Sequence, residues 1–324
     1  MMRLIPNFKG FDFFPHDTRL PFMRYKGICF GLSIAAMLIS LAIIGVKSFN
    51  YGVDFKGGSL IEVQSNSGPA DVAHLRERLN RLGVGAVQLQ SFGGPTDVLI
   101  RVEQQPGGEG EQQAALKKVQ EALGTQYTQR RVEVVGPAVS SELRMTGFIA
   151  VAAGLLAIVA YVWFRFEWQY APGAVLALVH DVCFTAGLFS FFGWEFDMNV
   201  LAALLVIIGY SMNDTIVIYD RIRETVNTRG TTELESVVNE AINSTLSRTI
   251  LTSGITQLVV VALLLLGGPV LRGFALALFI GILVGTYSSV YVASAVLIWL
   301  SRRYGHPVPA AKPERRTRPS RAAS

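Results

Sequence analysis

Apolar residues in this chain are gathered into long runs, with polar stretches of uneven length between them. The runs are Ile28 to Val46, Gly147–Phe164, Ala171–Phe192, Met198–Tyr219, Ile250–Leu266 and Phe274–Leu300. A run of about 17 or more apolar residues, wound as a helix rising ~1.5 Å per residue, is long enough to cross a ~30 Å hydrocarbon layer. The pattern therefore predicts an α-helical membrane protein with membrane helices at 28–46, 147–164, 171–192, 198–219, 248–266 and 274–300. The last five form one bundle over 147–300. The first run follows Arg24 and Lys26 as a secretory signal does. It is longer than an ~7–15-residue signal core and lacks a small-residue cleavage site, so it is expected to stay as an anchor.

The long polar stretch, 47–146, has a different period. Leu60–Gln64 is strand-like, and Pro69–Leu82 places Val72, Leu75, Leu79 and Leu82 at helical spacing. Ala86–Phe92 alternates, Gly93-Gly94-Pro95 predicts a turn, and Asp97–Glu103 a further strand. A glycine-rich break leads to a helix at Glu111–Leu123 and a last strand at Arg131–Val135. The order β-α-β-β-α-β predicts an inserted α+β, ferredoxin-like domain. Such a fold is a platform and names no function. His74 is expected to be solvated. Gly107-Gly108-Glu109-Gly110 is expected to be a plain turn, since no Lys-Ser/Thr phosphate loop follows it.

Only 16% of the residues are charged, against ~25% in a usual soluble domain, and the net charge is +5. The basic residues sit beside alternate runs: Arg24 and Lys26 before the first, Arg165 after the second, Arg221, Arg223 and Arg229 after the fourth, and many in 301–324. The opposite short loops share one, Arg272. Positive-inside topology then predicts a cytoplasmic segment at 1–27, a basic cytoplasmic tail at 301–324, and 47–146 on the far side of the membrane. This accounts for the basicity without a nucleic-acid partner. Cys29 and Cys183 both lie in apolar runs, with no Cys/His cluster near them, so neither a disulfide, a metal nor any other cofactor is expected.

Charges placed in hydrocarbon cost about 2.5–3.5 kcal/mol each, so each needs a reason. Asp181, next to His180, lies near the middle of the third run, and Asp214 lies in the fourth among Ser211, Asn213 and Thr215. A carboxylate held away from water without a full-time ion partner is suited to loading and releasing a proton. The plainer reading is a hydrogen bond between helices. Arg248 opens the fifth predicted helix and is the natural partner of Asp214; Thr249, Thr252, Ser253 and Thr256 follow it. Asp220, flanked by Arg221 and Arg223, is expected to form an interfacial ion pair. Gly281 and Gly285 form a GxxxG spacing that predicts close helix packing. The candidate proton pathway is thus Asp214, Arg248, Asp181, His180, Asn213 and Thr252. No enzymatic constellation is visible.

Several stretches together resemble the SecF branch of the SecD/SecF family of bacterial protein-export membrane proteins, within the resistance–nodulation–division superfamily. They are Tyr51-Gly52-Val53-Asp54-Phe55-Lys56-Gly57-Gly58, Val132 to Pro137, Gly209 to Asp214 with Asp220 to Glu224, Leu246-Ser247-Arg248-Thr249, and Gly285-Thr286-Tyr287-Ser288-Ser289. The resemblance implies six helices per half, a SecD half supplying six more, and a proton motive force used to move unfolded preproteins emerging from the SecYEG channel. It also implies association with YajC and YidC in the lipid bilayer of the inner membrane, and roles for Asp214 and Arg248 in the proton pathway. A half-size exporter of the same superfamily and a non-transporting assembly subunit are the competing readings.

Overall fold

The computed structural model describes residues 19–85, 87–92, 94–229 and 234–305. Ala86 and Gly93 of the expected hairpin, most of the 1–27 segment and most of the basic tail lie outside these. Among the described residues, six helices are long and apolar enough to cross a membrane: Phe22–Lys47, Ala138–Arg165, Tyr170–Phe192, Met198–Thr228, Leu234–Leu266 and Val270–Tyr304. In chain order the elements carrying these are α1 (Lys26–Lys47), α5 (Pro137–Arg165), α6 (Tyr170–Phe192), α7 (Met198–Arg229), α8 (Leu234–Leu266), and α9 (Gly268–Ser288) followed by α10 (Ser294–Tyr304).

Three helices depart furthest from the expected bounds, and the helices of the sixth span run from Gly268 to Tyr304 instead of 274–300. Polar turns extend α5 back to Pro137 and α7 on to Arg229, and α8 begins at Leu234 instead of 248. These extensions are too polar for an apolar run to reveal, yet they continue an unbroken hydrogen-bonded helix. The sixth span is also not one helix: Ser289–Ala293 forms a π-helical turn between α9 and α10. Such turns commonly mark functional positions because they push carbonyls off the regular ladder.

Between α1 and α5 lie β1 (Asn50–Tyr51), α2 (Val53–Lys56), β2 (Gly58–Ser65), α3 (Val72–Asn80), β3 (Val87–Phe92), β4 (Gly94–Val102), α4 (Glu109–Leu123) and β5 (Tyr127–Val135). The four long strands form one sheet in the order β3-β4-β2-β5, every neighbour antiparallel. Alternate residues Ile61, Val63, Val98, Ile100 and Val102 meet Leu75 and Leu79 of α3 and Ala115, Val119 and Leu123 of α4 in a separate buried core. His74 is exposed, and its backbone N–H is capped by Asp71.

The sheet domain is tied to the membrane helices at one corner. Strand β1 pairs in parallel with β6 (Glu195–Phe196), in the short connection between α6 and α7. Asp54 Oδ2 accepts from the Met198 backbone N–H (2.9 Å), at the start of α7. Phe55 packs with Phe196, Val200 and Leu201 in a buried cluster. Gly57 and Gly58 then turn the chain into β2 at φ of +74° and +116°, and a Cβ on Gly58 would meet the Val102 carbonyl oxygen. Only glycine fits there.

Arg101, on β4, forms an ion pair with Glu195 and hydrogen-bonds Asn50 Oδ1 at 3.5 Å. Burial pushes the Glu195 carboxyl up from its ordinary range; Arg101 opposes this, while Asp197 and Asp54 add to it. The folded protein therefore holds this proton more tightly than the unfolded chain, and folding gains as pH falls through the folded carboxyl's range. Glu195→Gln, neutral at every pH, is expected to melt higher than the parent in mildly alkaline buffer, with the gap closing on acidification. Thermal unfolding across that range checks this; a parent that loses ground on acidification would mean that the Arg101 pair outweighs burial.

Candidate functional site

The two carboxylates singled out in the apolar runs are both inside the bundle, 1% exposed for Asp181 and 2% for Asp214. Asp181 stands in the middle of α6. Its Oδ2 accepts from Ser211 Oγ of α7 (2.6 Å) and from Ser288 Oγ at the end of α9 (2.8 Å). Its Oδ1 lies 3.0 Å from His180 Nδ1. Three helices thus converge on one carboxyl group, each with a polar atom. His180 also lines a cavity of about 290 Å³ between α1, α6 and α9, with Leu32, Ser33, Phe184, Leu283 and Tyr287.

Asp214 has a different set. Ser253 Oγ of α8 donates to its Oδ2 at 3.3 Å and is itself 3.1 Å from Thr286 Oγ1 of α9. Because successive helical residues turn by ~100°, Ser211, Asp214 and Thr215 face inward while Asn213 is exposed. The same rotation on α8 buries Thr249 and Ser253 and exposes Arg248 and Thr252. The expected pairing of Asp214 with Arg248 is therefore corrected. Among the described residues no ion pair joins Arg248 and Asp214, whose carboxyl instead accepts from Ser253. Nor does Arg248 open its helix: it sits within α8, well after Leu234.

The structure thus brings together Asp181 with His180, and Asp214 with Ser253 and Thr286. It leaves Asn213, Arg248 and Thr252 on the outer side of α7 and α8. Asp220 does form an ion pair, but with Arg165 (2.9 Å), while Arg221 pairs with Glu224 and Arg223 with Glu167. Ser288 and Thr286, which serve the two carboxylates, were not among the expected site residues. The signal was available: three hydroxyls at 286, 288 and 289 inside an apolar run need hydrogen-bond partners.

Gly281 and Gly285 set how closely these groups meet. A Cβ on Gly281 would overlap the Ile207 side chain of α7, and one on Gly285 would lie 2.9 Å from Ser211 Cβ. The expected packing seam is thus present, but its neighbour is α7 of the same chain, so it is not a free face for a second subunit.

Residues 115–303 match the family described as protein export membrane protein SecD/SecF, C-terminal, and residues 42–68 match the SecD/SecF GG motif, which contains Gly57 and Gly58. The chain is 42% identical over 300 residues to protein translocase subunit SecF of Desulfurispirillum indicum, covering 89% of this chain and 94% of that one. It is 42% identical over 284 residues to protein translocase subunit SecDF of Brucella abortus, covering 88% of this chain but only 38% of that longer one. The crystal structure of SecDF from Thermus thermophilus, a translocon-associated membrane protein, superposes with a TM-score of 0.81 at 37% identity, over 90% of this chain and 40% of that one. A super-membrane-facing form of SecDF superposes with a TM-score of 0.66 at 38% identity, over 89% of this chain and 39% of that one. The chain therefore spans less than half of the SecDF proteins and nearly all of the SecF protein. With six helices of spanning length and a family match over most of its residues, this multi-pass membrane protein belongs to the SecD/SecF family of protein-export membrane proteins.

Proposed function

We propose that this chain is the SecF-type half of a proton-driven accessory unit of the Sec protein-export machinery in the bacterial inner membrane. The observation that carries the reading is Asp214: a carboxyl group buried within a membrane helix, hydrogen-bonded by a hydroxyl, with no ion pair among the described residues. A charge so placed is costly unless its protonation is used. Protonation removes its attraction to Arg248 and lets α7, α8 and α9 repack.

The basic residues on alternate connections support cytoplasmic termini and a periplasmic 47–146 domain. The sheet order β3-β4-β2-β5 supports the ferredoxin-like reading of that domain. Asn213, Arg248 and Thr252 on the outer side of α7 and α8 favour a partner there, since polar groups do not face lipid without cost. SecD is that partner, with SecYEG, YajC and YidC as looser associates and preproteins as the substrate. The outer edge of β5, unpaired among the described residues and with Val132 and Val134 exposed, offers a second contact.

Extracted in mild detergent, the chain is expected to carry a SecD-like companion. Inner-membrane vesicles lacking it are expected to lose the gradient-dependent part of preprotein export and keep the ATP-driven part. A companion-free chain, with export unchanged by its removal, overturns the reading.

A further inference from the structure

Polar groups continue from Asp181 toward the end of the bundle that carries Glu167. Ser211, Thr215 and Tyr219 stand at i, i+4 and i+8 on α7 and are all buried, so they form one stripe. Ser211 donates to Asp181. Thr215 Oγ1 lies 2.9 Å from Ser289 Oγ, the first residue of the π-helical turn, which directly follows the end of α9 whose Thr286 contacts Ser253 of the Ser253–Asp214 pair. Tyr219 donates to the carbonyl of Ala293 (3.2 Å), the last residue of the π-helical turn. Its ring meets that of Tyr170 with centroids 4.9 Å apart.

Two atoms at the far end of this stripe have no hydrogen-bond partner among the described residues. They are the hydroxyl of Tyr170, a residue 0% exposed, and Oε2 of Glu167. Glu167 lies in the turn that leads into α6, where the Tyr170 N–H bonds the Glu167 carbonyl at 3.0 Å. Glu167 Oε1 faces Arg223 (3.3 Å), and its side chain is 23% exposed, so this carboxyl group also reaches water. A buried phenol and a buried carboxylate oxygen each call for a partner, and a water molecule is the partner both can take.

We propose that protons leave the bundle along this hydroxyl ladder and that Glu167 is the group that releases them to the cytoplasmic solution; the inference rests on the proton-driven reading above. Hydroxyls both donate and accept. At each rung an oxygen gains one O–H bond and gives up another, so no rung keeps a charge. Asp181 starts as the acid and ends as the carboxylate; Glu167 gains the proton and passes it to water. Rungs one helical turn apart are ~5–6 Å from each other, a gap that one water would bridge in the proposed path.

The plainer account is that these hydroxyls only satisfy helix carbonyls. Tyr170→Phe separates the two, because it deletes a hydroxyl that has no hydrogen-bond partner among the described residues. The plainer account expects equal or higher thermal stability and unchanged export. The ladder expects the same stability with a reduced gradient-dependent component of export in inverted vesicles holding the full complex. Glu167→Gln is expected to lower that component at least about tenfold, below the ~10²–10⁴ of a positioned acid or base because water partly substitutes. ATP-driven export should stay unchanged, and Glu167→Asp should recover part of the loss. Parental gradient-dependent export in both Tyr170→Phe and Glu167→Gln overturns the ladder. If Asp214→Asn fails in the same assay, the proton-driven reading survives that result; if Asp214→Asn is also unaffected, both fall.

Discussion

Asp214→Asn is expected to abolish the gradient-dependent part of preprotein export while the protein still folds and keeps its partner. Asparagine has nearly the same volume as aspartate, and its amide oxygen accepts the Ser253 hydroxyl that now lies 3.3 Å from Oδ2. Removing a buried charge while keeping its hydrogen bond should change stability by no more than about 1 kcal/mol. The amide cannot bind and release a proton, however, so a carrier role fails completely where a structural role would not. Asp214→Glu should keep part of the activity: it titrates, but its extra methylene crowds a site only 2% exposed, which typically costs about 1–3 kcal/mol. Export into inverted vesicles, with and without a proton gradient and at equal protein level, decides the matter. A gradient-dependent component of parental size in Asp214→Asn would leave Asp214 as a hydrogen-bonding strut.

Membrane charges were the most legible part of the site because their cost in hydrocarbon is independent of the fold. Asp181, His180 and Asp214 stand out on that ground alone, and all three are buried. What could not be read was rotation. Asn213 and Asp214 are adjacent, yet one faces outward and the other inward, and Arg248 falls on the outer side of α8 for the same reason. A sequence shows that two opposite charges are available to pair; only the packed bundle decides which faces meet. The six helices were legible from their apolar runs, whereas the polar extensions of α7 and α8 and the π-helical turn were not, since backbone hydrogen bonding leaves no mark in hydropathy. The strands of the inserted domain were legible from period, but their order depends on contacts distant in sequence. Glu167 carried no signal. An acidic residue between two apolar runs is ordinary until Arg223 is seen against it and Tyr170, its ring edge-on to that of Tyr219, one turn further on.

Gly281→Ala is expected to damage both packing and export, because this glycine sets the distance between α9 and α7. The new methyl would overlap the side chain of Ile207, which is itself fully buried. Overpacking of this kind costs about 1–3 kcal/mol, read as a lower Tm. The functional cost should be larger than that figure suggests. Pushing α9 away from α7 draws Ser288 from Asp181, where the contact is now 2.8 Å, and separates Thr286 from the Ser253–Asp214 pair. Asp181 then loses a hydrogen bond, and the Ser253 hydroxyl that serves Asp214 loses the neighbour that steadies it. If the collision with Ile207 is the cause, making room should relieve it. Ile207→Ala alone leaves a cavity and costs roughly 2–5 kcal/mol, but combined with Gly281→Ala it should cost less than the sum, by a coupling of roughly 0.5–3 kcal/mol. Gradient-dependent export should recover in the double variant relative to Gly281→Ala. Strict additivity of the two stability changes, or a double variant with no recovered export, would mean that Gly281 serves some purpose other than the close approach of α9 to α7.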